Sequence, residues 1–362
     1  MHMASGRLLS LDIFRGMTIF FMILVNTPGS WNFVYAPLLH AKWDGCTPTD
    51  LVFPFFMFIS GVSMAISYAK YAGSRIGWIN KVVYRGLAII LIGLLLNWFP
   101  FYHKHISELR VFGVLQRIGL SVLLVGVLIA FSGMRSLMVV TVAILIGYWA
   151  LMLGGGDLSL EGNLIRKLDL ALVGEKHIYH GFGIPFDPEG LLSTLPACCT
   201  MMIGYLTGMV LLKTSGNPGK VKWLLIAGMV LTAAGYIWSV LGFPLNKALW
   251  SSSYVLYSAG LAMLVLSLMI WLIDIRHVTG WSYIFKSFGQ NPLASFVLSI
   301  LLVKISLHIK HGEMNLYEAV FEKGFRPFFG DYPGSLMFAL TFVLFVWLFA
   351  WWMDRRGIVI KV

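Results

Sequence analysis

LLHAKWDGCTPTDLVFPFFMFISG, residues 38–61, passes from a polar segment into an apolar run without a break. Its first half holds His40, Lys42, Trp43, Asp44 and Asp50, and its second half is apolar enough to begin a membrane-spanning helix. A histidine and two carboxylates at the mouth of such a helix are costly unless they are solvated, paired or used. The stretch therefore points to a membrane fold and to one place in it where chemistry is worth seeking.

The rest of the chain agrees with the membrane reading. Of 362 residues, 58% are hydrophobic and only 12% charged, and the mean hydropathy is +0.81. Soluble domains carry about 25% charged residues. The expected fold is all-α: a polytopic membrane helix bundle of about ten transmembrane helices with structured outer loops, forming a single integral membrane domain over residues 1–362. The formal net charge of +11 fits cytoplasmic loops better than a nucleic-acid surface. Cys46, Cys198 and Cys199 show no CxxC spacing, which argues against a disulfide framework or a zinc site. The first apolar segment is followed by no small-residue cleavage site, so it is expected to be a mature span.

Apolar runs near spanning length fall at 11–27, 51–69, 82–100, 111–131, 137–153, 190–212, 222–242, 251–273, 284–306 and 335–353. Asn291-Pro292 interrupts the ninth. Fifteen Lys and Arg fall on the side that holds Arg7, Arg15, Arg75 and Arg85, against eleven on the side that holds Lys42 and Lys104. The first side is therefore expected to be cytoplasmic, with both termini inside. The outer side then receives the His40 stretch, 154–189, 243–250 and 307–334, long loops of the kind that fold into functional caps. The alternation gathers His40, Asp50, Asp187, Glu189, Asn246 and Lys247 on one face, with Arg117 about a turn inside the fourth span.

Each of these residues has a plain structural reading beside the functional one. With an ordinary pKa of about 6.5, His40 suits a general base or an acyl acceptor, or is a solvated loop residue. Asp50 would orient an imidazole or cap the second span, as Thr49 would, and the two roles are compatible. Asn26, at the outer end of the first span, would stabilise an oxyanion or end the helix. Arg117, flanked by apolar residues in GVLQRIGL, faces a cavity or an ion-pair partner. Asp187 and Glu189 in FDPEGLLSTLP would bind a substrate or start a helix. Asn246, Lys247 and Trp250 in FPLNKALWSSSYV would do the same or form an interfacial turn. Arg15, Arg75 and Arg85 would meet phosphates or simply be inner-loop charge. His103, His105, His177 and His180 lack a matched carboxylate framework for a metal, and Cys46 near His40 is a further nucleophile to weigh. The chain has no Walker A loop, no GxSxG and no GxGxxG opening a helix after a strand, which leaves soluble hydrolase and nucleotide chemistry unsupported.

In order along the chain, RLLSLDIFRGMTIFFMILVN, LLHAKWDGCTPTDLVFPFFMFISG, GVLQRIGL, FDPEGLLSTLP and FPLNKALWSSSYV resemble the heparan-α-glucosaminide N-acetyltransferase family, from about residue 7 to 356. The resemblance implies a transmembrane enzyme that takes acetyl-CoA from the cytosol and acetylates a glucosamine amine at the outer face. In it His40 matches the active-site histidine and Asn26 its partner, while Asp50, Asp187, Glu189, Asn246, Lys247 and Trp250 fall in matching motifs. Cys46 stands where lysosomal members carry an aliphatic residue, which sets a family-wide cysteine nucleophile aside. Without a counterpart of their large lumenal domain, the expected acceptor is a free amino sugar or a short glucosamine-containing saccharide. The further expectations are a bacterial inner-membrane protein, a symmetric homodimer, and no metal or nucleic acid.

Two other classes stay open. Ten spans with an interrupted helix suit an amino-sugar secondary transporter. An envelope-glycan O-acyltransferase would share the donor and prefer hydroxyl acceptors.

Overall fold

The computed structural model describes residues 8–71, 73–102 and 105–360, so the expectations that rest on Arg7, His103, Lys104 and Lys361 lie outside the described residues. Nine helices among them are long and apolar enough to span a membrane. They are α1 (Leu9–Asn26), α2 (Pro48–Ala69), α3 (Arg75–Trp98), α4 (Val114–Phe131), α5 (Met134–Gly155), α7 (Thr194–Lys213), α8 (Asn217–Val240), α9 with its π-helical end (Ser252–Ile275) and α14 (Asp331–Arg355). The ninth expected run is broken. Helices α10 (Tyr283–Gln290) and α11 (Pro292–His308) meet at 92°, and if the pair is one span the total is ten. Pro292 at the start of α11 has no N–H for a continuing helix. The Asn291 side chain instead bonds the backbone of Ile358 and Ile360, at 2.8 Å each.

Glycines set how closely the helices approach. A Cβ on Gly61 of α2 would lie 2.0 Å from the Met201 carbonyl oxygen, and one on Gly204 of α7 would lie 2.0 Å from that of Phe58. The α1–α10 contact is tighter still, with Gly16 against the Phe285 carbonyl at 1.6 Å and Gly289 against that of Asp12 at 2.0 Å by the same measure. Lipid tails offer no hydrophobic drive for helices to associate, so small residues that admit close packing supply the attraction.

One large apolar core runs through the bundle, and a second, smaller one holds Tyr148, Met152, Ile165, Phe186, Phe243 and Leu249 under the 154–193 segment. That segment folds as the sequence suggests, into a cap built around the amphipathic α6 (Leu164–Val173), whose N-cap Asn163 accepts from the Arg166 amide at 2.9 Å. Beyond α11, a hairpin of β1 (Lys310–His311) and β2 (Met314–Asn315) leads to the short α12 (Leu316–Val320) and α13 (Arg326–Phe329). Tyr317 donates to the Pro28 carbonyl at 2.8 Å, tying this segment to the loop after α1. The alternation of long helices puts the ends of α1, α3, α5, α8 and α11, and the starts of α2, α4, α7, α9 and α14, on one face of the bundle.

Candidate active site

On that face lies a cavity of about 430 Å³, lined among others by Asn26, His40, Asp50, Arg110, Glu189, Lys247 and Trp250. Its size falls in the range of small-molecule sites, roughly 300–1,000 Å³.

His40 and Asp50 are set by the start of α2. The N-cap is Thr47, not Asp50 or Thr49. Asp50 sits three residues on and receives the Thr47 amide and hydroxyl on Oδ2 at 3.0 Å each, while Thr49 donates outward to the Pro37 carbonyl at 3.1 Å. Oδ2 also accepts the Ala41 amide at 3.0 Å. The other oxygen, Oδ1, lies 2.7 Å from His40 Nδ1. One carboxylate thus both starts the helix and holds the imidazole. Because an ionised carboxylate only accepts, Nδ1 is the donor of this bond, and in the neutral imidazole that leaves the lone pair on Nε2. The His40 side chain is 44% exposed and that of Asp50 only 2%. The Asp50 carbonyl accepts from Tyr254 of α9 at 2.5 Å.

Lys247 comes from the turn between α8 and α9. Its Nζ lies 3.2 Å from His40 Nδ1, 3.3 Å from Nε2 and 3.9 Å from Asp50 Oδ1. Burial in the wall pushes its pKa down, opposed by the charges of Asp50 and Glu189. Asn246 shapes the turn rather than the cavity: it is buried, its Oδ1 accepts the Leu249 amide at 2.8 Å, and its Nδ2 donates to Asp44 at 3.1 Å. The turn leaves Trp250 at φ +49°, a conformation a bulky residue holds only when its surroundings dictate it. Here the indole packs edge-on to Phe53 and Tyr254 and donates to Thr200 at 3.1 Å.

The cap supplies the opposite wall. Arg110, from the segment before α4, donates through Nε and Nη2 to the two Asp187 oxygens at 2.8 Å each, and through Nη2 to Glu189 at 2.7 Å. Its guanidinium lies 4.6 Å from the Tyr179 ring centroid. Burial alone would lower its pKa, but the hydrogen bond to Asp187 and the two carboxylate charges hold it above the ordinary arginine value. Asp187 is fully buried and anchors Arg110, whereas Glu189 and Arg110 line the cavity. Trp31, Trp43, Tyr179 and Phe182 complete the wall. Trp43 donates to the Leu158 carbonyl at 2.9 Å and meets Phe186 edge-on at 5.5 Å.

Arg117 lies behind this wall, not in it. It is buried, bonds Ser193 and the Gly190 carbonyl, and stands 5.0 Å from the Trp250 ring. Asn26 does line the cavity, and its Nδ2 donates to the Met22 carbonyl at 2.7 Å, an amide that carries a second N–H. Cys46 bonds only weakly, to the Thr47 carbonyl at 3.7 Å, and burial together with the Asp50 charge pushes its thiol up to about 12. That protonated thiol is a poor nucleophile.

The inner arginines stay apart from the cavity. Arg15 bonds Ser63, the Gly289 carbonyl at 3.3 Å and Asp12 at 3.4 Å. Arg75 lies over Phe131 at 5.3 Å, and the buried Nε of Arg85 has no hydrogen-bond partner. Arg15 is about 16 Å along α1 from Asn26. His177 bonds the Leu109 carbonyl at 2.7 Å and His180 faces Glu175 at 3.9 Å; among the described residues no three His, Cys, Asp or Glu gather as a metal site.

Sequence reasoning passed over Arg110, Trp31, Tyr179 and Phe182, and named Trp43 without giving it a role. Arg110 counted only as outer-loop charge, although an arginine seven residues before Arg117 and within the SELRVFG segment leads straight into a buried helix. The aromatics gave no periodic signal, because loops bring them together.

A family model described as heparan-alpha-glucosaminide N-acetyltransferase, catalytic, matches residues 7–217. Heparan-alpha-glucosaminide N-acetyltransferase of Homo sapiens is 27% identical over 361 residues, covering 80% of this chain and 52% of that protein. The protein of the same name from Mus musculus is 26% identical over 364 residues, covering 81% and 53%. The chain spans about half the length of the curated relatives it matches. The range matched by the family model takes in Asn26, His40, Asp50, Arg110, Asp187 and Glu189, while the Lys247 turn lies beyond it.

Proposed function

The chain belongs to the heparan-alpha-glucosaminide N-acetyltransferase family, and from that premise we propose that it is a transmembrane acetyltransferase moving an acetyl group from acetyl-CoA to the amine of glucosamine or a short glucosamine-containing saccharide. One observation carries the reading: Asp50 engages His40 Nδ1 at 2.7 Å and leaves Nε2 as the basic atom of a cavity lined by aromatics and charge. The nitrogen must shed one proton as it forms the amide bond, and a neutral imidazole at hydrogen-bond reach is the group to take it.

In this mechanism Nε2 accepts the amine proton as nitrogen attacks the thioester carbonyl. The second N–H of Asn26 stabilises the oxyanion. The C–S bond breaks, and the proton held by His40 passes to the departing CoA thiolate. Glu189 and Arg110 bind sugar hydroxyls, with Trp250 and the cap aromatics packing on the ring; Asp187, Asn246 and Arg117 support that wall. If His40 instead accepts the acetyl group and passes it on, the same Nε2 is the nucleophile. Arg15, Arg75 and Arg85 are where the donor's phosphates would lie, with the donor arriving from the cytosolic side. The orientation has both termini in the cytoplasm of a bacterial inner membrane, and a symmetric homodimer is the expected assembly.

The helix break that favoured a transporter lies elsewhere. Asn291 is engaged by the C-terminal backbone, and α10 lies on α1 far from the cavity. The test is purified protein in detergent with acetyl-CoA and glucosamine, following release of CoA thiol. Release that needs the sugar and is lost in His40→Ala supports the proposal. Release unchanged in that variant removes His40 from the chemistry. Sugar binding without release returns the transporter, and release with hydroxyl but not amine acceptors returns the O-acyltransferase.

A further inference from the structure

The Lys247 Nζ stands against the His40 ring at the cavity wall. An in-plane hydrogen bond to one imidazole nitrogen leaves the other clearly farther away, because the two are separated by Cε1. Here Nζ is 3.2 Å from Nδ1 and 3.3 Å from Nε2, so it addresses the ring as a charge and occupies neither nitrogen along its lone-pair axis. It is also 3.9 Å from Asp50 Oδ1. The turn that carries Lys247 is itself pinned. The Leu249 amide is held by Asn246 at 2.8 Å, the Gly45 amide donates to the Leu245 carbonyl at 2.7 Å, and Asn246 reaches Asp44 at 3.1 Å. The turn is thereby bonded directly to the loop that bears His40.

We propose that Lys247 is a positioning residue that keeps His40 in its neutral, Nε2-basic form, a role that rests on the acetyltransferase reading above. A protonated imidazole beside an ammonium is disfavoured, whereas a neutral one is not. The titratable and charged groups that share the cavity with His40 are Lys42 from its own loop, Asp50 from α2, Lys247 from the α8–α9 turn, and Arg110, Tyr179 and Glu189 across from it. Asp50 alone would favour the imidazolium. Lys247 offsets Asp50 at the ring, while Arg110 is already satisfied by Asp187 and Glu189. The Asp50 bond then selects the tautomer without charging the base, so His40 can take a proton in the reaction instead of holding one at rest.

The decisive measurement does not depend on turnover. Diethyl pyrocarbonate acylates neutral imidazole, so the rate at which His40 is labelled, read by peptide mass spectrometry across pH, reports its protonation. In Lys247→Met the labelling midpoint is expected to rise by about one pH unit, a tenfold change in proton affinity, and in Lys247→Arg to return towards that of the unchanged protein. All variants are first shown to elute as the unchanged protein does on size exclusion in detergent, and Lys247→Gln, a second uncharged side chain expected to shift the midpoint as Lys247→Met does, keeps the comparison decisive if Lys247→Met does not fold. A midpoint that stays put in the uncharged variants overturns the proposal, and an acceptor KM that rises with it makes Lys247 a substrate ligand. Release of CoA by the unchanged protein with acetyl-CoA and glucosamine is measured alongside. If that release is absent, the acetyltransferase reading fails, while the labelling midpoint still decides what Lys247 does to His40.

Discussion

Arg110 and Asp187 are joined by two parallel hydrogen bonds of 2.8 Å, across 77 residues of sequence. This fork fastens the segment before α4 to the cap just before α7, and it puts a guanidinium in the cavity wall whose charge is already met. Paired arginine and carboxylate planes of this kind fix geometry as well as energy.

Removing the arginine should therefore harm the fold before it harms chemistry. Arg110→Ala leaves the fully buried Asp187 carboxylate unpaired, and breaking such a pair costs about 3–5 kcal/mol. A clear fall in thermal midpoint in detergent is expected, with Arg110→Lys recovering only part of it because an ammonium cannot make the fork. If Arg110→Ala melts like the unchanged protein, the fork is not holding the cap.

Asp50→Asn separates the two duties of that carboxylate. Asn can still accept the Thr47 and Ala41 amides, but it no longer supplies the charge that fixes the Nδ1–H tautomer of His40. The expected result is a drop in kcat of about 10²–10⁴-fold, on the precedent of orienting carboxylates in histidine-based catalysis, with the acceptor KM little changed. Steady-state rates at several sugar concentrations read the split.

Asp169 gives a pH signature of stability. Buried in α6, it has one oxygen on the Leu191 amide at 3.1 Å and the other without a partner. Burial chiefly, with the Asp187 charge, raises its pKa from 3.8 to about 7, against the Leu191 hydrogen bond and Arg117. The native state thus keeps a proton that the unfolded chain releases, so its contribution is full below about pH 4 and is lost as pH rises to about 7, at up to about 1.4 kcal/mol per unit. Asp169→Asn should be the more stable protein at pH 8 and lose that advantage near pH 4. Paired melting curves at the two pH values test it, and a gap that does not change with pH refutes it.

Gly204→Ala should pry α2 from α7, since the added Cβ would meet the Phe58 carbonyl at 2.0 Å. Overpacking of this kind costs about 1–3 kcal/mol. Gly133→Ala, where a Cβ meets nothing within 4 Å, is the control and should move the melting midpoint little.

How much of this the sequence announces depends on the kind of signal. The spans are legible because bilayer thickness imposes a length on apolar runs, and the Asn291-Pro292 break because proline leaves a gap in the helix ladder. His40 and Asp50 stand out as costly residues beside a span, and their joint placement follows from the start of one helix. Arg110, Trp31 and Tyr179 are illegible for the opposite reason. They sit in segments without a period, and only tertiary contacts such as the Arg110–Asp187 fork bring them to the cavity. Arg117 misleads in a third way: a charge inside a span signals burial near a polar partner, but not which side of a wall it stands on.

The contact between Gly16 of α1 and the Phe285 backbone of α10 also bears on how the protein is made. About 270 residues separate the two partners, and at a synthesis rate of roughly 5–20 residues per second the first helix waits roughly 15–50 s for its neighbour to leave the ribosome. Throughout that interval the Gly289 carbonyl that Arg15 finally meets is not yet made, and Arg15 can bond Asp12 of its own helix and Ser63 of α2. A ribosome stalled before residue 289 would leave the first helix complete in sequence but with its Gly16 face uncovered, so the tightest helix contact of the fold is also one of the last to form.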